Sequence, residues 1–237
     1  MTNIEPLGHY TKLSVIVPAF NERNTIVEIV RRMRAVELPM AREIIVVDDG
    51  SNDGTRDVLK QLDDSTLRVV YHPENRGKGA AIRTGLEYVT GDLVLIQDAD
   101  LEYDPDDWPK LLNPVLKGRA VVVYGSRFTG ERRNMLFWHW VANRFLSLLA
   151  NVLFNSTLSD METGHKLFDR RIIDQVSLRA RSFDFEPEVT AKLLKAGIRI
   201  YEVPISYAGR TLEEGKKITW QDGAIALWTL VKYRFVD

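Results

Sequence analysis

Short apolar runs alternate with amphipathic segments in the first part of the chain. The runs predict strands at residues 13–17, 43–47, 67–71 and 93–96. The segments between these runs space their apolar residues at helical intervals, and the first of them predicts a helix that starts at Asn24 or Thr25 and ends at Val36. Strands and helices that alternate with short links indicate a parallel sheet covered on both faces. Residues before position 11 are expected to form a tail.

The second part of the chain mixes the same two patterns. It predicts an amphipathic helix after Pro105, strands at 120–124 and 166–168, helices at 135–154 and 185–196, and a last amphipathic segment at 219–236. Residues 198–207 are strand-like, but Pro204 lacks a backbone donor, which predicts an edge strand. The fold class is therefore predicted to be α/β, with one domain spanning residues 1–237.

Composition narrows the possible partners. The chain of 237 residues has a net charge of -1, so bulk charge predicts no nucleic-acid partner. It has no cysteine, which excludes a disulfide framework and thiol catalysis and fits a reducing compartment. No segment reaches the roughly 18 to 20 apolar residues that a membrane-spanning helix needs.

Two acidic residues directly follow the fourth predicted strand. Asp98 and Asp100 are two residues apart, so in extended chain both carboxylates face the same side. Two convergent carboxylates repel each other unless a cation lies between them, and their oxygens suit Mg²⁺ or Mn²⁺. Glu102 is positioned to add a third oxygen. The alternative is an acidic loop that leads into the turn at Asp104.

Polar loops also follow the other three strands, and ligands of parallel sheets bind at such strand ends. Asn21 and Glu22 offer donors and acceptors to a base or ribose, although Asn21 or Asn24 could instead cap a helix. Asp49 either contacts a nucleoside or forms a turn with the following glycine. Lys78, between two glycines, could bind phosphate together with backbone amides, although the complete P-loop frame is absent.

The ordered motifs of the chain resemble a known family. They read VIVPAFNE, VVDDGSNDGT, NRGKGAAIRTG, GDLVLIQDAD and GSRF. In this order and spacing they resemble the inverting nucleotide-sugar glycosyltransferases of family two, which have a GT-A fold. The later segments FEPEVTAKLLKAG and YEVPISYAGRTLEEGKK resemble the polyprenyl- or dolichyl-phosphate sugar synthases. The Gln-x-x-Arg-Trp signature of processive synthases is absent.

The resemblance implies roles for individual residues toward the donor. Asp98 and Asp100 would bind Mg²⁺ or Mn²⁺ and the donor diphosphate, with Asp100 as a catalytic residue, and Glu102 stands where the family usually has glutamine. Arg210 and Lys216 would approach the diphosphate from a loop. The nucleoside would be held by Pro18, Ala19, Asn21, Glu22 and Asp49.

The resemblance also implies an acceptor site. Arg127 and Arg144 would bind the phosphate of a lipid acceptor in a fork geometry, with Arg127 close enough to the acidic loop to count as catalytic. The alternatives are that Arg127 pairs with that acidic loop and that Arg144 extends along the surface. By this division, residues 12–125 form the nucleotide-sugar half and residues 126–237 the acceptor half.

The expected function is transfer of a hexose, from a donor such as GDP-mannose or UDP-glucose, to polyprenyl or dolichyl phosphate with inversion. The basic and aromatic residues of 132–154 and of the C-terminal helix predict peripheral attachment at the cytoplasmic face of a membrane, although the C-terminal helix could equally pack on the core. Two alternatives stay open: a family-two transferase with a soluble acceptor, and a non-catalytic nucleotide-sugar binding module. The oligomeric state is left open.

Overall fold

The structure is a computed structural model that describes residues 9–62, 66–133, 135–209 and 220–236. The strands are β1 (Lys12–Ala19), β2 (Ala41–Asp48), β3 (Leu67–Tyr71), β4 (Leu93–Ile96), β5 (Val122–Ser126), β6 (Lys166–Asp169) and β7 (Tyr201–Pro204). The helices are α1 (Ile26–Ala35), α2 (Thr55–Lys60), α3 (Lys78–Leu86), α4 (Trp108–Leu116), α5 (Phe137–Phe154), α6 (Arg170–Ile173), α7 (Phe185–Lys195) and α8 (Trp220–Phe235). A short 3₁₀ turn, Pro105–Asp107, precedes α4.

The strands form a single sheet in the order β3-β2-β1-β4-β6-β5-β7. β1 pairs in parallel with β2 and β4, β2 with β3, and β5 with β7, whereas β6 is antiparallel to both of its neighbours. The sheet is therefore mixed and mostly parallel. Because β1 to β5 run in the same direction, the loops that follow them end at one edge of the sheet, as the sequence predicted for the first four.

Both faces of the sheet are buried, which explains the nearly continuous apolar strands. Successive side chains of a strand point to opposite faces. In β1, Val15 and Val17 accordingly join the cluster with α1 and α4, while Ile16 joins the cluster on the α3 and α7 side. A third cluster forms where α5, α7 and α8 meet, around Leu146 and Leu230.

The structure corrects several predicted boundaries. β5 begins and ends two residues later than predicted, so Arg127 follows the strand directly. Tyr10, assigned to a tail, is buried and donates its hydroxyl to Asp169 Oδ2 at 2.9 Å. Thr25, and neither Asn21 nor Asn24, occupies the N-cap position of α1. β7 is shorter than the predicted strand, and it lies at the edge that Pro204 indicated.

Candidate active site

The acidic pair after β4 lies at the edge where the loops converge. Asp98 Oδ1 is 2.7 Å from Lys78 Nζ, which is also 2.9 Å from Glu186 Oε1 at the start of α7. Asp100 Oδ1 accepts the backbone amide of Glu102 at 3.0 Å. Burial by itself lowers the pKa of Lys78, but the facing carboxylates of Asp98 and Glu186 outweigh it and hold this pKa well above its usual value. Lys78 therefore remains charged and neutralises part of this acidic cluster.

Gly164 allows the chain before β6 to pass directly over the acidic loop. A Cβ atom at this position would lie 2.3 Å from Asp98 Oδ2 and 3.1 Å from the Tyr103 ring. The Gly164 amide instead donates to the Tyr103 hydroxyl at 2.8 Å. The absence of a side chain here is therefore required for Asp98 to keep its orientation.

Glu102, predicted as a third metal ligand, contacts a tyrosine through its side chain. Its Oε2 accepts the hydroxyl of Tyr207 at 2.6 Å. Within residues 9–62, 66–133, 135–209 and 220–236, no group of three or more His, Asp or Glu side chains could hold a metal ion. The predicted site with three carboxylates is therefore not formed by the described residues. Two carboxylates still fit Mg²⁺ or Mn²⁺, because such ions commonly complete their coordination with substrate phosphates and water.

Asp49, predicted to contact the nucleoside, is buried beneath the loop that leads to α3. Its two oxygens accept the amides of Arg76 at 2.9 Å and Gly77 at 2.7 Å. Its Oδ1 also lies 2.6 Å from His72 Nδ1. Gly77 has a φ of +91°, a conformation that glycine adopts without steric cost. Asp49 thereby fixes the path of this loop.

The Gly77–Gly79 segment does not form the predicted phosphate cradle. The Gly79 amide donates to Ser182 O at 3.1 Å, and the Ala80 amide donates to Arg181 O at 3.0 Å. Because the Gly77 amide donates to Asp49, two amides of this segment and that of the following Ala80 already have protein acceptors. The possibility that these amides bind phosphate is therefore not supported for Gly77 and Gly79, because Asp49 and the loop before α7 accept their hydrogen bonds.

Asn21 and Glu22 join the loops that follow β1 and β2. Asn21 Oδ1 accepts the amide of Asn52 at 3.0 Å, and the Asn21 amide donates to Ser51 Oγ at 2.9 Å. The Glu22 amide donates to Thr55 Oγ1 at 2.9 Å. These contacts hold both loops at the strand ends, where the sequence predicted them to meet.

Arg127 is buried and paired with a carboxylate that the sequence analysis did not single out. Its Nε and Nη2 lie 2.8 and 2.7 Å from the two oxygens of Asp160, and Nη2 also donates to Asn143 Oδ1 at 3.1 Å. Burial lowers the pKa of Arg127, but Asp160 outweighs it and holds this pKa well above its usual value. The Nε–Nη2 edge of Arg127 is thus occupied by Asp160 and is not available to fork a phosphate. The partner is Asp160, not the acidic loop after β4.

Arg144 lies on the exposed side of α5. Its Nη1 donates to Ser159 O at 3.2 Å, and its guanidinium carbon lies 5.6 Å from the centre of the Phe128 ring. The guanidinium is therefore close to the loop that follows β5. Arg210 and Lys216, predicted to approach the diphosphate, lie outside the described residues.

Several charged residues of the site were missed in the sequence. Asp160 and Glu162 repeat the acid spacing of Asp98 and Asp100, and that repetition was an available signal. Glu162 Oε1 is buried without a hydrogen-bond partner among the described residues, and burial raises the pKa of Glu162 to about 8. Glu186 was also missed, and it is one of two acidic residues in the first turn of α7 that are buried, the other being Glu188.

The fold and the family are established by comparison. Residues 14–177 match the model of the family described as glycosyl transferase family 2. This match covers more than half of the chain, and the chain therefore belongs to that family. The family assignment made from the motifs is confirmed.

Two curated relatives extend the match to most of the chain. The low-salt glycan biosynthesis hexosyltransferase Agl6 of Haloferax volcanii is 29% identical over 231 residues, which cover 95% of this chain and 53% of the relative. The undecaprenyl-phosphate 4-deoxy-4-formamido-L-arabinose transferase of Salmonella paratyphi A is 30% identical over 210 residues, covering 86% of this chain and 62% of the relative. The chain thus spans between about half and three fifths of the length of these relatives.

Solved structures confirm the fold. Glucosyl-3-phosphoglycerate synthase of Mycobacterium tuberculosis, in complex with Mn²⁺, UDP and glucosyl-3-phosphoglycerate, superposes with a TM-score of 0.74 at 23% identity and covers 96% of this chain and 81% of its own. Another crystal structure of that synthase gives a TM-score of 0.72 at 25% identity, with 96% and 82% coverage. The GT-A fold predicted from the sequence is therefore correct.

Proposed function

We propose that this protein transfers a hexose from a nucleoside diphosphate sugar to the phosphate of a polyprenyl or dolichyl phosphate, with inversion at the anomeric carbon. One arrangement carries the proposal: Tyr207 joins the acidic loop to the arginines after β5. Its hydroxyl contacts Glu102, and its ring lies 5.3 Å from the guanidinium carbon of Arg127. Acidic residues with a cation suit a diphosphate, and arginines suit a phosphate monoester. The undecaprenyl phosphate named for the Salmonella relative supports this acceptor class.

The donor nucleoside is assigned to the loops after β1 and β2. The contacts of Asn21 with Asn52 and of Glu22 with Thr55 support this assignment, because they hold both loops at the strand ends. Asp49 contributes by fixing the loop that positions Lys78 beside Asp98. The full set proposed for the nucleoside is Pro18, Ala19, Asn21, Glu22 and Asp49, with Lys78, Asp98, Arg210 and Lys216 proposed for the diphosphate.

Asp98 and Asp100 are proposed to hold one Mg²⁺ or Mn²⁺ ion. A divalent ion supplies positive charge to the diphosphate as that group leaves. The two carboxylates would hold the ion, and Lys78 adds a fixed positive charge beside Asp98. Glu102 is proposed to act indirectly, by linking the acidic loop to Tyr207.

The acceptor phosphate needs no general base. A phosphate monoester has a second pKa near ~6 and is mostly dianionic at neutral pH. One of its oxygens forms the bond to the anomeric carbon while the bond from that carbon to the diphosphate oxygen breaks, and the nucleoside diphosphate leaves. Arg144 and the Nη1 group of Arg127 are proposed to contact this phosphate and to reduce its repulsion by the donor.

A soluble acceptor is the second candidate. The structural neighbour from M. tuberculosis was solved with glucosyl-3-phosphoglycerate, whose acceptor part is a small phosphorylated acid. The site would recognise a similar negative charge on such an acceptor, but it would need no apolar surface for a lipid chain. A non-catalytic nucleotide-sugar module is disfavoured, because Asp98 and Asp100 are both present and Asp98 lies beside Lys78.

An assay with several donors and acceptors tests the proposal. The purified chain is incubated with Mg²⁺ or Mn²⁺ and either GDP-mannose or UDP-glucose. The acceptor is a short polyprenyl phosphate, 3-phosphoglycerate or none, and products are identified by mass spectrometry and anomeric NMR. We expect a lipid-linked monosaccharide of inverted configuration with one donor. Transfer to 3-phosphoglycerate alone would favour the second candidate, and donor binding without transfer to either acceptor would favour the binding module.

Attachment to a membrane surface is part of the proposal. The described helices include none that is long and apolar enough to cross a membrane. α5 and α8 each bury one face, against each other and against α7. For this face, the alternative in which α8 packs on the core is therefore correct. Their other sides expose large apolar residues, including Trp138 at 76% and Trp228 at 64%. Such faces flanked by basic residues are typical of helices that lie in a membrane interface.

We expect the protein to float with anionic liposomes at low salt. The double variant Phe137→Ser/Trp138→Ser should stay largely in the lower fraction, because it removes apolar area that would enter the interface. The matched control is Val27→Ser/Leu116→Ser, which removes exposed apolar side chains from α1 and α4. Equal flotation of both variants would contradict a docking role for the start of α5.

A further inference from the structure

Three guanidinium groups surround one aromatic ring beside the acidic loop. The guanidinium carbons of Arg127, Arg132 and Arg144 lie 5.8, 5.6 and 5.6 Å from the centre of the Phe128 ring. Arg132 comes from the loop between β5 and α5 and was not among the predicted site residues. Cation–π contacts with the ring offset only a small part of the electrostatic repulsion among three positive charges. The cluster therefore favours an additional anion.

The protein supplies a carboxylate to only one of these three arginines within the described residues. Arg127 has Asp160, whereas Arg132 and Arg144 form no ion pair with any described carboxylate. Each uses Nη1 on backbone oxygens: Arg132 donates to Phe128 O at 2.9 Å and Arg144 to Ser159 O at 3.2 Å. Both side chains are exposed, and their Nε and Nη2 groups make no hydrogen bond to a described residue. Two planar donor edges thus remain available to a ligand.

Another nearby carboxylate does not neutralise them. Glu202, on β7, contacts the same loop as Arg144, because it accepts the amides of Ser159 and Asp160. It also accepts the Ser159 hydroxyl at 3.0 Å. Glu202 thus holds the loop and forms no ion pair with the arginines.

The position of Arg132 is tied to the acidic loop. Arg132 forms a backbone bridge with Tyr207, and the Arg133 amide donates to Tyr207 O at 2.9 Å. The same Tyr207 bonds Glu102 and lies 5.3 Å from the Tyr103 ring. Tyr207 thus connects the loop of Arg132 to the acidic loop, where the diphosphate is proposed to leave.

An apolar surface begins on the other side of the cluster. Phe145, Leu148 and Val152 lie on α5 beyond Arg144 and are 52%, 59% and 73% exposed. A dianionic head followed by an apolar chain would match the guanidiniums and this helix together. The donor diphosphate would match only the first of these two features.

We infer that Arg132 is an acceptor-phosphate ligand that acts together with Arg144, whereas Arg127 chiefly positions the loop that carries Phe128. This inference rests on the proposed function and adds to it a residue and a division of labour among the arginines. Asp160 and Asn143 hold Arg127 in place, and Arg132 and Arg144 present their Nε and Nη2 edges to the lipid phosphate.

The test compares Arg132→Ala, Arg132→Lys and the control Arg119→Ala. Arg119 is an exposed arginine at the opposite end of β5, so its loss changes net charge equally. For Arg132→Ala we expect the KM for a short polyprenyl phosphate to rise about tenfold or more, as for a lost charge-assisted hydrogen bond, with the donor KM unchanged. Arg132→Lys should be intermediate, because lysine keeps the charge but not the planar fork. Arg119→Ala should match the wild type.

Binding measured without donor separates this inference from the proposed function. Tryptophan fluorescence reports binding of the same polyprenyl phosphate to each variant. Binding that depends on Arg132, with no transfer by the wild type, would refute the function and leave the phosphate site in place. Transfer by the wild type with an unchanged acceptor KM in Arg132→Ala would refute the role of Arg132. A rise in the donor KM alone would assign these guanidiniums to the diphosphate and overturn the inference.

Discussion

Replacing Asp100 by alanine is expected to reduce the rate of sugar transfer at least ~100-fold, the range for removing electrostatic stabilisation of a developing anion. The diphosphate gains negative charge as the bond to the sugar breaks, and Asp100 is proposed to hold the ion that balances this charge. The fold should survive, because Asp100 lies in the loop after β4, outside the strands and helices, where its carboxylate accepts the amide of Glu102. The measurements are initial rates and Mn²⁺ binding followed by electron paramagnetic resonance.

Asp106→Ala is the matched control for this variant. Asp106 is exposed in the same acidic stretch, and its side chain takes no part in the loop around Asp98. It should retain wild-type rates and Mn²⁺ binding, which would exclude a general effect of lost negative charge. Full activity in EDTA, or a wild-type rate in Asp100→Ala, would contradict the proposed metal role.

Asp160→Ala is expected to lower the free energy of unfolding by about 3–5 kcal/mol, since it leaves a buried guanidinium without its counter-ion. Asp160 also accepts the Arg127 backbone amide at 2.9 Å, so the variant loses a third buried hydrogen bond besides the two from the guanidinium. For a chain of this size, the melting temperature should fall by roughly 6–20 °C. Thermal and urea unfolding followed by circular dichroism measure the change.

Two controls make this prediction specific. Glu28→Ala removes a half-buried surface partner of Arg31 and Arg32 and should leave the melting temperature nearly unchanged. The double variant Arg127→Met/Asp160→Leu replaces both charges by apolar side chains and should recover much of the stability. It should still transfer sugar poorly, because the loop carrying Phe128 and Arg132 loses its anchor. If Asp160→Ala lowers the melting temperature no more than Glu28→Ala does, the ion pair of Arg127 and Asp160 contributes little to stability.

The framework of the fold was predictable because its signals are local. Apolar runs bounded by turn residues mark β1 to β4, and the alternation with helices implies parallel pairing. Parallel pairing then places the loops after these strands at one edge, whatever their sequence. The acidic pair was predicted from its spacing in extended chain, whereas the structure has a turn at Ala99 and Asp100, so the common direction of the two carboxylates stays a prediction.

The partners of the charged groups could not be read from local patterns. Lys78 was assigned to phosphate, and the structure places it between Asp98 and Glu186. Arg127 was given an alternative partner in the acidic loop, and the structure pairs it with Asp160, 33 positions away. Buried charges select partners by proximity in the folded chain, and several carboxylates in the sequence were equally acceptable candidates.

The sequence by itself thus determined the α/β class and the edge of the sheet at which its polar loops meet, and it indicated the two carboxylates of the candidate site. The tertiary structure alone decided how the charges are distributed around that centre. The contact of Tyr207 with Glu102 spans 105 positions, and it brings the loop of Arg132 to the acidic residues. Such contacts depend on the packing of β5, β7 and the loop before α5, and no periodicity along the chain encodes them.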